Sequence, residues 1–292
     1  MMQTEISSCP ACQQQLQQGI QPWHRKCRHC SYEGSTLLVD IDVQGDREVL
    51  DEALREEGLG DLRQRNFRVL AAEVAARFPD SGGTRPRLLD VGCAHGWFLE
   101  ATAGHFDVLG IEPDARVAQS AGERGLPVRR GFFPDVLQAD ERFDVIIFND
   151  VMEHIPDIVS AMQACAHHLS TGGIVVVNAP ARTGLLYRVS QAMAALGLPA
   201  SFDRMWQKGF PSPHVHYLDD ASMHLIGARA GLKLVSVRTL PSLSVKGLYA
   251  RIRYDRTVSA AKAMAVTFIL GVAAPALRVL PADIKVWTLR AT

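Results

Sequence analysis

The sequence predicts an α/β protein whose main part is a doubly wound, mostly parallel sheet, preceded by a small cysteine-rich module. Two observations support this prediction: short apolar runs alternate with helical segments after residue 87, and four cysteines form two close pairs before residue 31. Apolar runs that are buried on both faces and separated by helices are typical of parallel sheets. The four runs cover residues 88–91, 108–111, 145–148 and 174–177.

Further elements extend this pattern on both sides. Helices are predicted over residues 98–103, 115–124 and 158–169, and later strands over 232–237 and 284–289. Residues 46–78 are charged, with apolar residues at helical spacing, and predict one or two lead-in helices. We therefore divide the chain into a module over residues 1–45 and a main domain over 46–292, with helical insertions at about 181–216 and 241–281.

The composition is typical of a globular protein and excludes several classes of function. Of the 292 residues, 47% are hydrophobic and 21% are charged, and 31 basic residues balance 31 acidic ones. A formal charge of zero gives no global field toward nucleic acid or an anionic membrane, although a local basic patch is compatible with it. The first residues lack the basic start and apolar core of a secretory signal, so we expect a reducing, cytoplasmic location.

The first four cysteines form the pattern C-x2-C-x14-C-x2-C: Cys9, Cys12, Cys27 and Cys30. Two such pairs can place four thiolates tetrahedrally around one zinc ion, with a spacing close to that of zinc ribbons. Zinc would supply the folding energy that a module of about 30 residues cannot obtain from its core. The alternatives are four free thiols, two disulfides, or His24 or His29 as a substitute ligand. Residues 37–43 alternate as a short strand would.

The turn after the first apolar run indicates a nucleoside site. In doubly wound folds the ligand lies where the first strand turns into its helix. Gly92 and Gly96 let the backbone come close to a ligand, and the following helix points its N-terminus at it. Glu112, 20 positions after Gly92, can accept both hydroxyls of a ribose. A dinucleotide site would need G-x-G-x-x-G, so the spacing Gly92, Ala94, Gly96 weakens a hydride-transfer interpretation.

These residues resemble the class I S-adenosylmethionine-dependent methyltransferases. Four segments match the family's motifs in its order over about residues 87–180: LLDVGCAHGWFL, VLGIEPD, FDVIIFNDVMEHIPD and LSTGGIVVVNAP. The resemblance implies that S-adenosylmethionine is the cofactor. Ala94 replaces the middle glycine of the first motif, which the turn tolerates if this residue needs no positive φ.

The resemblance also implies which residues bind the cofactor: Asp90, Gly92, Cys93, Gly96, Glu112, Phe133 and Asn149. In the family's arrangement, Asp90 and the two glycines hold the methionine part and Glu112 holds the ribose, while Asn149 lines the pocket. Phe133, with Phe132, is either an adenine neighbour or part of the core. Cys93 is interpreted as a small hydrophobic residue, because methyl transfer needs no covalent enzyme intermediate.

Methyl transfer also needs a group that removes the proton of the acceptor. His154 follows the fourth predicted strand, and His216 lies with His214 in the loop that closes the first insertion. We predict that His154 or His216 is this base. The same segment resembles the ubiquinone-biosynthesis O-methyltransferases, whose acidic-x-x-Glu-His order is matched by Asp150, Glu153 and His154. That resemblance implies a divalent metal at these residues as an alternative role.

The expected function is transfer of a methyl group to an oxygen, or less often a carbon, of a small-molecule, sugar or lipid-linked acceptor. The insertion at 182–210 resembles a lid helix, and the apolar run 263–277 is shorter than the roughly 20 residues that span a bilayer. That run is expected to be a buried or dimer-forming helix, or a peripheral membrane element. Both segments are candidates for an apolar acceptor pocket.

Two alternatives belong to other classes. An RNA or protein methyltransferase would be guided by the cysteine module, where Arg25, Lys26 and Arg28 offer phosphate contacts. A non-catalytic zinc-ribbon interaction protein would retain only a vestigial cofactor site. The intact set of Asp90 and Glu112 with the two glycines argues against the vestigial alternative, and the balanced charge argues against nucleic acid.

Overall fold

The computed structural model describes residues 8–40, 52–79, 83–242, 248–253, 258–277 and 280–292. The strands in chain order are β1 (Gln17–Gln18), β2 (His24–Lys26), β3 (Glu33–Ser35), β4 (Arg87–Val91), β5 (Asp107–Glu112), β6 (Val128–Arg130), β7 (Phe143–Asn149), β8 (Leu169–Pro180), β9 (His216–Tyr217), β10 (Leu232–Leu240) and β11 (Ile284–Ala291). The helices are α1 (Glu52–Ala75), α2 (Trp97–Thr102), α3 (Ala115–Glu123), α4 (Ile158–His168), α5 (Leu185–Ala195), α6 (Ala200–Met205), α7 (Asp220–Arg229), α8 (Leu248–Arg253) and α9 (Ala260–Leu277), with a 3-10 turn at Met152–His154.

A seven-stranded sheet in the order β10-β11-β8-β7-β4-β5-β6 forms the centre of the main domain. The strands from β8 to β6 are parallel, and β11 alone is antiparallel to both of its neighbours. Apolar side chains cover both faces, since β7 buries consecutive residues such as Ile146 and Ile147 completely. The strand order reverses between β4 and β7, which places a ligand crevice at the carboxyl ends of these strands. The doubly wound prediction is confirmed.

The predicted elements agree with the structure where the sequence pattern is regular. All six predicted strands of the main sheet lie within observed strands, and the lead-in segment forms one helix, α1. The expected lid over 182–210 is two helices, α5 and α6, because Gly197 with a φ of +84° ends the first of them. The strand predicted over 37–43 is wrong for residues 37–40, which are irregular, and residues 41–43 lie outside the described part of the chain.

The cysteine-rich module is joined to the main domain by a shared sheet. Its three strands pair in the order β1-β2-β3, and β9 of the first insertion adds to the free edge of β3. Gly34 pairs with His216, and the N–H of Ser35 donates to the carbonyl of Val215 at 3.0 Å. A short sheet of this kind becomes stable only when it packs against further structure. The module is therefore built into the side of the domain that carries the first insertion.

A buried carboxylate holds this junction together. Glu33 is fully buried and accepts hydrogen bonds from His24, Tyr187 and Gln191, while Arg182 lies 3.4 Å from its second oxygen. Burial alone would raise the pKa of Glu33, but the hydrogen bonds from His24 and Tyr187 and the charge of Arg182 lower it to about 2. The ionised carboxylate therefore links the module, through His24, to helix α5, through Tyr187 and Gln191.

We predict that Glu33→Gln lowers the free energy of unfolding by about 3 kcal/mol at pH 7, because it removes a charge that buried partners require. Since folding lowers this pKa from 4.5 to about 2, the stabilisation is complete above the unfolded value and is lost as the pH falls. The difference between variant and natural protein should therefore shrink below about pH 4.5 in denaturant titrations. Glu123→Gln, at an exposed position, is the control. An equal effect of both variants would contradict the assignment.

Candidate functional site

The turn between β4 and α2 requires glycine at two positions. Gly92 and Gly96 have φ values of +69° and +74°, in the left-handed region that favours glycine. A Cβ atom at Gly92 would lie 2.5 Å from Cγ2 of Val151, and one at Gly96 would collide with Leu126. The backbone of this turn is thus held close to its neighbours, as a ligand-binding turn requires.

Ala94, the third residue of the turn, has a φ of +45°. The condition under which the turn would tolerate alanine, that this residue needs no positive φ, is therefore not met, and its methyl group adds strain that glycine would avoid. The strained conformation directs the N–H of Ala94 to the carboxylate of Glu112, at 2.9 Å. The turn and the end of β5 are fixed to each other by this bond.

Glu112 faces the turn rather than solvent. One carboxylate oxygen accepts the N–H of Ala94 and the other accepts the N–H of Asp114, both at 2.9 Å. Each oxygen keeps a second lone pair that can accept a hydroxyl. Burial raises the pKa of Glu112, and the two backbone bonds oppose this rise. The geometry fits a residue that accepts the hydroxyls of a ribose lying over the turn.

Three polar side chains lie in a row across the carboxyl ends of β4, β7 and β8. The amide of Asn149 donates to Asp90, and that of Asn178 donates to Asn149, each at 3.4 Å. Burial raises the pKa of Asp90 to about 8, the charge of Glu112 adds to this rise, and Asn149 opposes it. A buried carboxyl group whose ionisation is opposed by burial and by a neighbouring carboxylate is suited to a cationic ligand.

Two further predicted cofactor residues lie against protein. Cys93 is buried, and a Cβ at Gly110 of β5 would lie 2.6 Å from its Sγ, so its side chain fills the space beside that glycine. The ring of Phe133 packs edge-on to Phe148 at 5.7 Å between centroids, whereas Phe132 is 48% exposed. Roles for Cys93 and Phe133 in cofactor binding stay predictions, and these contacts favour packing.

The 3-10 turn after β7 brings Glu153 and His154 to the segment before β9. Ligand atoms of Glu153, His154 and His214 lie within 4.8 Å of one another. One oxygen of Glu153 is buried and has no hydrogen-bond partner among the residues that the structure describes. Burial raises the pKa of Glu153 well above its usual value, and the nearby charge of Asp150 adds to the rise. These three side chains could supply part of a metal-binding site or of a proton-transfer site.

Asp150 does not join this group. Its carboxylate lies 3.2 Å from the guanidinium of Arg63 on α1, and its backbone is in the left-handed region with a φ of +55°. The cluster that the structure forms contains His214 in its place. A divalent metal at Asp150, Glu153 and His154 stays a prediction, and the geometry favours His214 as the third member of any such site.

His216, the second candidate base, is 1% exposed and has partners at both ring nitrogens. Nδ1 contacts the hydroxyl of Tyr32, and Nε2 donates to the carbonyl of Ile155 at 2.8 Å. Burial lowers the pKa of His216 to about 4, although the carbonyls of Ile155 and Pro156 oppose this. A catalytic role for His216 stays a prediction, and these contacts favour a role in joining the module to the domain.

The four cysteines of the module come together at one point. Their Sγ atoms all lie within 4.8 Å of one another, with 3.4 Å between Cys9 and Cys30 and between Cys12 and Cys27. Thiolates around tetrahedral zinc lie about 3.8 Å apart when each Zn–S bond is about 2.3 Å. Burial raises the pKa of Cys9 to about 11 and also raises that of Cys30, whereas at Cys27 burial is outweighed by backbone N–H groups of His29 and Cys30, which lower the pKa to about 7. These residues fit one zinc ion.

Comparison with known proteins decides the family. The model of a methyltransferase domain family matches residues 62–237, more than half of the 292 residues. The chain belongs to this methyltransferase family. A ubiquinone biosynthesis O-methyltransferase from Azorhizobium caulinodans is 34% identical over 115 residues, which are 36% of this chain and 46% of that protein. The chain thus spans about half the length of the curated relatives that it matches.

Solved methyltransferase structures share the fold at low sequence identity. An S-adenosylmethionine-dependent methyltransferase from Clostridium acetobutylicum has a TM-score of 0.52 and 11% identity, and covers 82% of this chain and 96% of that one. The magnesium protoporphyrin IX methyltransferase from Synechocystis, with bound SAH, has a TM-score of 0.50 and 12% identity, and covers 80% and 86%. At this identity they show the fold alone, and they confirm the expected class I methyltransferase architecture.

Sequence reasoning missed several residues of this methyltransferase-family chain that the structure places at important contacts. These are Tyr32, Glu33 and Arg182 at the module junction, together with Gln207, whose amide lies 2.8 Å from Nε2 of His214. None of them lies in a short motif or at a regular spacing. Two adjacent polar residues after the second cysteine pair, Tyr32 and Glu33, were the only sequence signal that pointed to this contact.

We predict one zinc ion per chain, bound by the four cysteines. Chelation of the metal or Cys12→Ser should lower the free energy of unfolding by at least about 3 kcal/mol, since metal binding to such modules is folding energy. Metal analysis and denaturant titration provide the measurements. His29→Ala, next to the second cysteine pair and exposed, should leave zinc content and stability unchanged. Purified protein without zinc, or a loss of zinc in the histidine variant, would contradict this assignment.

Proposed function

We propose that this protein binds S-adenosylmethionine over the turn between β4 and α2. It then transfers the methyl group to an oxygen of a small-molecule or lipid-linked acceptor. The observation that carries the proposal is the pair of buried carboxyl groups, Asp90 and Glu112, at the ends of two adjacent parallel strands beside a glycine turn. The names of the O-methyltransferase relatives support oxygen as the acceptor atom. Their partial coverage leaves the acceptor itself as part of the proposal.

The cofactor's own chemistry is an electrophilic methyl group on a positively charged sulfur. The protein's residues therefore have to hold the cation and align an acceptor with it. Asp90, to which Asn149 donates a hydrogen bond, would accept hydrogen bonds from the ammonium group of the methionine part. Glu112 accepts the ribose hydroxyls, and the backbone of Gly92 and Gly96 permits close approach. Each of these contacts uses a group whose geometry is already fixed by the protein.

His154 is the proposed base on the acceptor side. It is half-buried, and its Nδ1 lies 3.0 Å from the carbonyl of Pro213. A proton on Nδ1 satisfies that carbonyl and makes Nε2 the basic nitrogen of the ring. If a divalent metal is bound instead, Glu153, His154 and His214 would hold it and it would polarise the acceptor oxygen. Activity that survives a chelator, in protein whose cysteine-bound zinc is shown by metal analysis to be retained, would favour His154 as the base.

The RNA alternative receives less support from the structure. The guanidinium of Arg25 donates to the carbonyls of Pro22 and His24. These hydrogen bonds hold the side chain against the backbone of its own module. Lys26 and Arg28 are exposed, but two cations provide few phosphate contacts for a polymer substrate. An RNA or protein acceptor therefore stays a prediction, and the small-molecule acceptor is the one we propose.

The first test concerns the cofactor. Because the pKa of Asp90 is raised to about 8, a bound cation should favour its ionised form and release a proton near neutral pH. Affinity for S-adenosylmethionine should rise with pH up to about 8, and Asp90→Asn should weaken binding by about tenfold or more while stabilising the free protein. Calorimetry in buffers of different ionisation enthalpy measures both effects.

A matched pair of variants makes this test specific. Glu112→Ala should also weaken binding, whereas Asp107→Asn, at the exposed opposite end of β5, should not. Binding heats for the natural protein that show no proton release would contradict the role of Asp90. The absence of any heat with S-adenosylmethionine would contradict the proposed function as a whole.

The second test concerns the base. His154→Ala should lower kcat by about 100-fold or more, because general-base catalysis contributes that much, while affinity for S-adenosylmethionine stays within about twofold. His224→Ala, at an exposed position of α7, is the control. Phenolic and other hydroxyl compounds serve as acceptors, with the demethylated cofactor measured as the product. Full turnover in the His154 variant would refute the assignment of His154 as the base, but it would not contradict the proposed binding of S-adenosylmethionine.

A further inference from the structure

Helix α9 presents an apolar face to solvent. Four of its large side chains are largely exposed: Met264 at 59%, Phe268 at 74%, Ile269 at 63% and Val272 at 68%. At about 100° per residue these positions share one side of the helix, and Ala263 lies buried on the other. The exposed face of a helix in a water-soluble domain normally carries charged residues. An uncovered patch of this kind marks a surface that contacts something apolar.

The helix has dimensions suited to the surface of a bilayer. It contains 18 residues and is about 27 Å long at about 1.5 Å per residue. In the described parts of the chain, no helix combines the length and the apolar content needed to pass through a membrane. Its N-terminal half carries a single charge, Lys262, which is exposed. An apolar face with a basic end is typical of helices that lie in the interface rather than span it.

The surrounding sequence is strongly basic, although the chain as a whole is neutral. Helices α8 and α9 contain three basic residues, Arg251, Arg253 and Lys262, and no acidic ones. Over the whole connection between β10 and β11, residues 241–283, the sequence has six basic residues and two acidic residues, Asp255 and Asp283. The basic residues are Lys246, Arg251, Arg253, Arg256, Lys262 and Arg278. The matching partner is therefore both apolar and negatively charged.

We propose that α9 docks this protein on the surface of an anionic phospholipid bilayer. The apolar face enters the boundary between headgroups and acyl chains, and the side chains of Arg253 and Lys262 lie at the level of the phosphates. A second copy of the chain is a poorer occupant. In a symmetric dimer the same patch would meet itself, which would bring these positive charges together without compensation.

The position of α9 in the fold connects this surface with the cofactor edge. The connection leaves β10 at Leu240 and enters β11 at Ile284, and Ile284 pairs both with Leu240 and with Pro180 at the carboxyl end of β8. Because β8 is parallel to β4 and β5, α8 and α9 emerge at the edge where Asp90 and Glu112 lie. The other connection from this edge is held nearby, since the N–H of Leu185 donates to the carbonyl of Pro281 at 3.1 Å.

We infer from this location that the methyl acceptor comes from the bilayer. This second inference rests on the proposed function. An amphipathic acceptor with its hydroxyl head at the membrane surface would meet the enzyme at the same edge as the cofactor. Binding of the protein to lipid does not depend on that inference, because it needs only the exposed face and the charges. The two claims therefore have separate tests.

Flotation of the full-length protein with lipid vesicles tests the docking. We expect binding to vesicles of phosphatidylglycerol mixed with phosphatidylcholine, weaker binding to phosphatidylcholine alone, and loss of the difference at high salt. Phe268→Ser combined with Ile269→Ser should lower the partition coefficient by at least about tenfold. Lys262→Glu should weaken binding to the anionic vesicles only. Leu38→Ser, at a residue of the module that is 59% exposed, should change nothing.

Two results would overturn the docking proposal. One is a failure of the natural protein to float with anionic vesicles at low salt. The other is dimerisation in light scattering that the Phe268→Ser and Ile269→Ser changes abolish, without vesicle binding, which would assign the face to a second copy. Calorimetry with S-adenosylmethionine on the same preparation separates the claims. Vesicle binding without cofactor binding would refute the proposed function and leave the docking intact.

Discussion

The pairing of β3 with β9 is the constraint on which the arrangement of the first insertion and the cysteine-rich module depends. Both strands are too short to be stable alone. The cysteine cluster fixes one end of the module, and the ionised Glu33 fixes the other against α5. The segment that contains β9 also supports the turn after β7, because the N–H of Val215 donates to the carbonyl of Glu153 at 2.8 Å. The cysteine-rich module at one edge thus helps to place His214 beside His154.

At the carboxyl ends of β4 and β5, several features lower the stability of the unliganded protein. Burial of Asp90 near Glu112 costs free energy in the unliganded protein. The positive φ of Ala94 adds a further cost. The rigid sheet beneath supplies that free energy, since the strands that end here are buried on both faces. A cationic nucleoside would relieve the repulsion between the carboxyl groups. The unfavourable terms are therefore concentrated where a ligand of matching charge would bind.

The two connections that leave the carboxyl edge differ in the way they are covered. The first, between β8 and α7, packs an aromatic cluster of Tyr187, Phe202, Trp206 and Tyr217 against the module. The second places the apolar face of α9 in solvent. The module therefore covers one side of the edge, and the other side carries an exposed apolar helix.

The sequence by itself determined six of the seven strands of the main sheet, the glycine turn, the position of Glu112 and the cysteine pattern. Each of these depends on local periodicity or on short fixed spacing, which neighbouring residues specify. The tertiary structure alone decided the contacts of Glu33, His214 and His216, and the contacts that favour packing for Phe133. The bond between Tyr32 and His216 joins residues 184 positions apart, and that between Glu33 and Tyr187 spans 154. Contacts over such separations follow from the way the insertion folds back on the module, and no local pattern encodes that path.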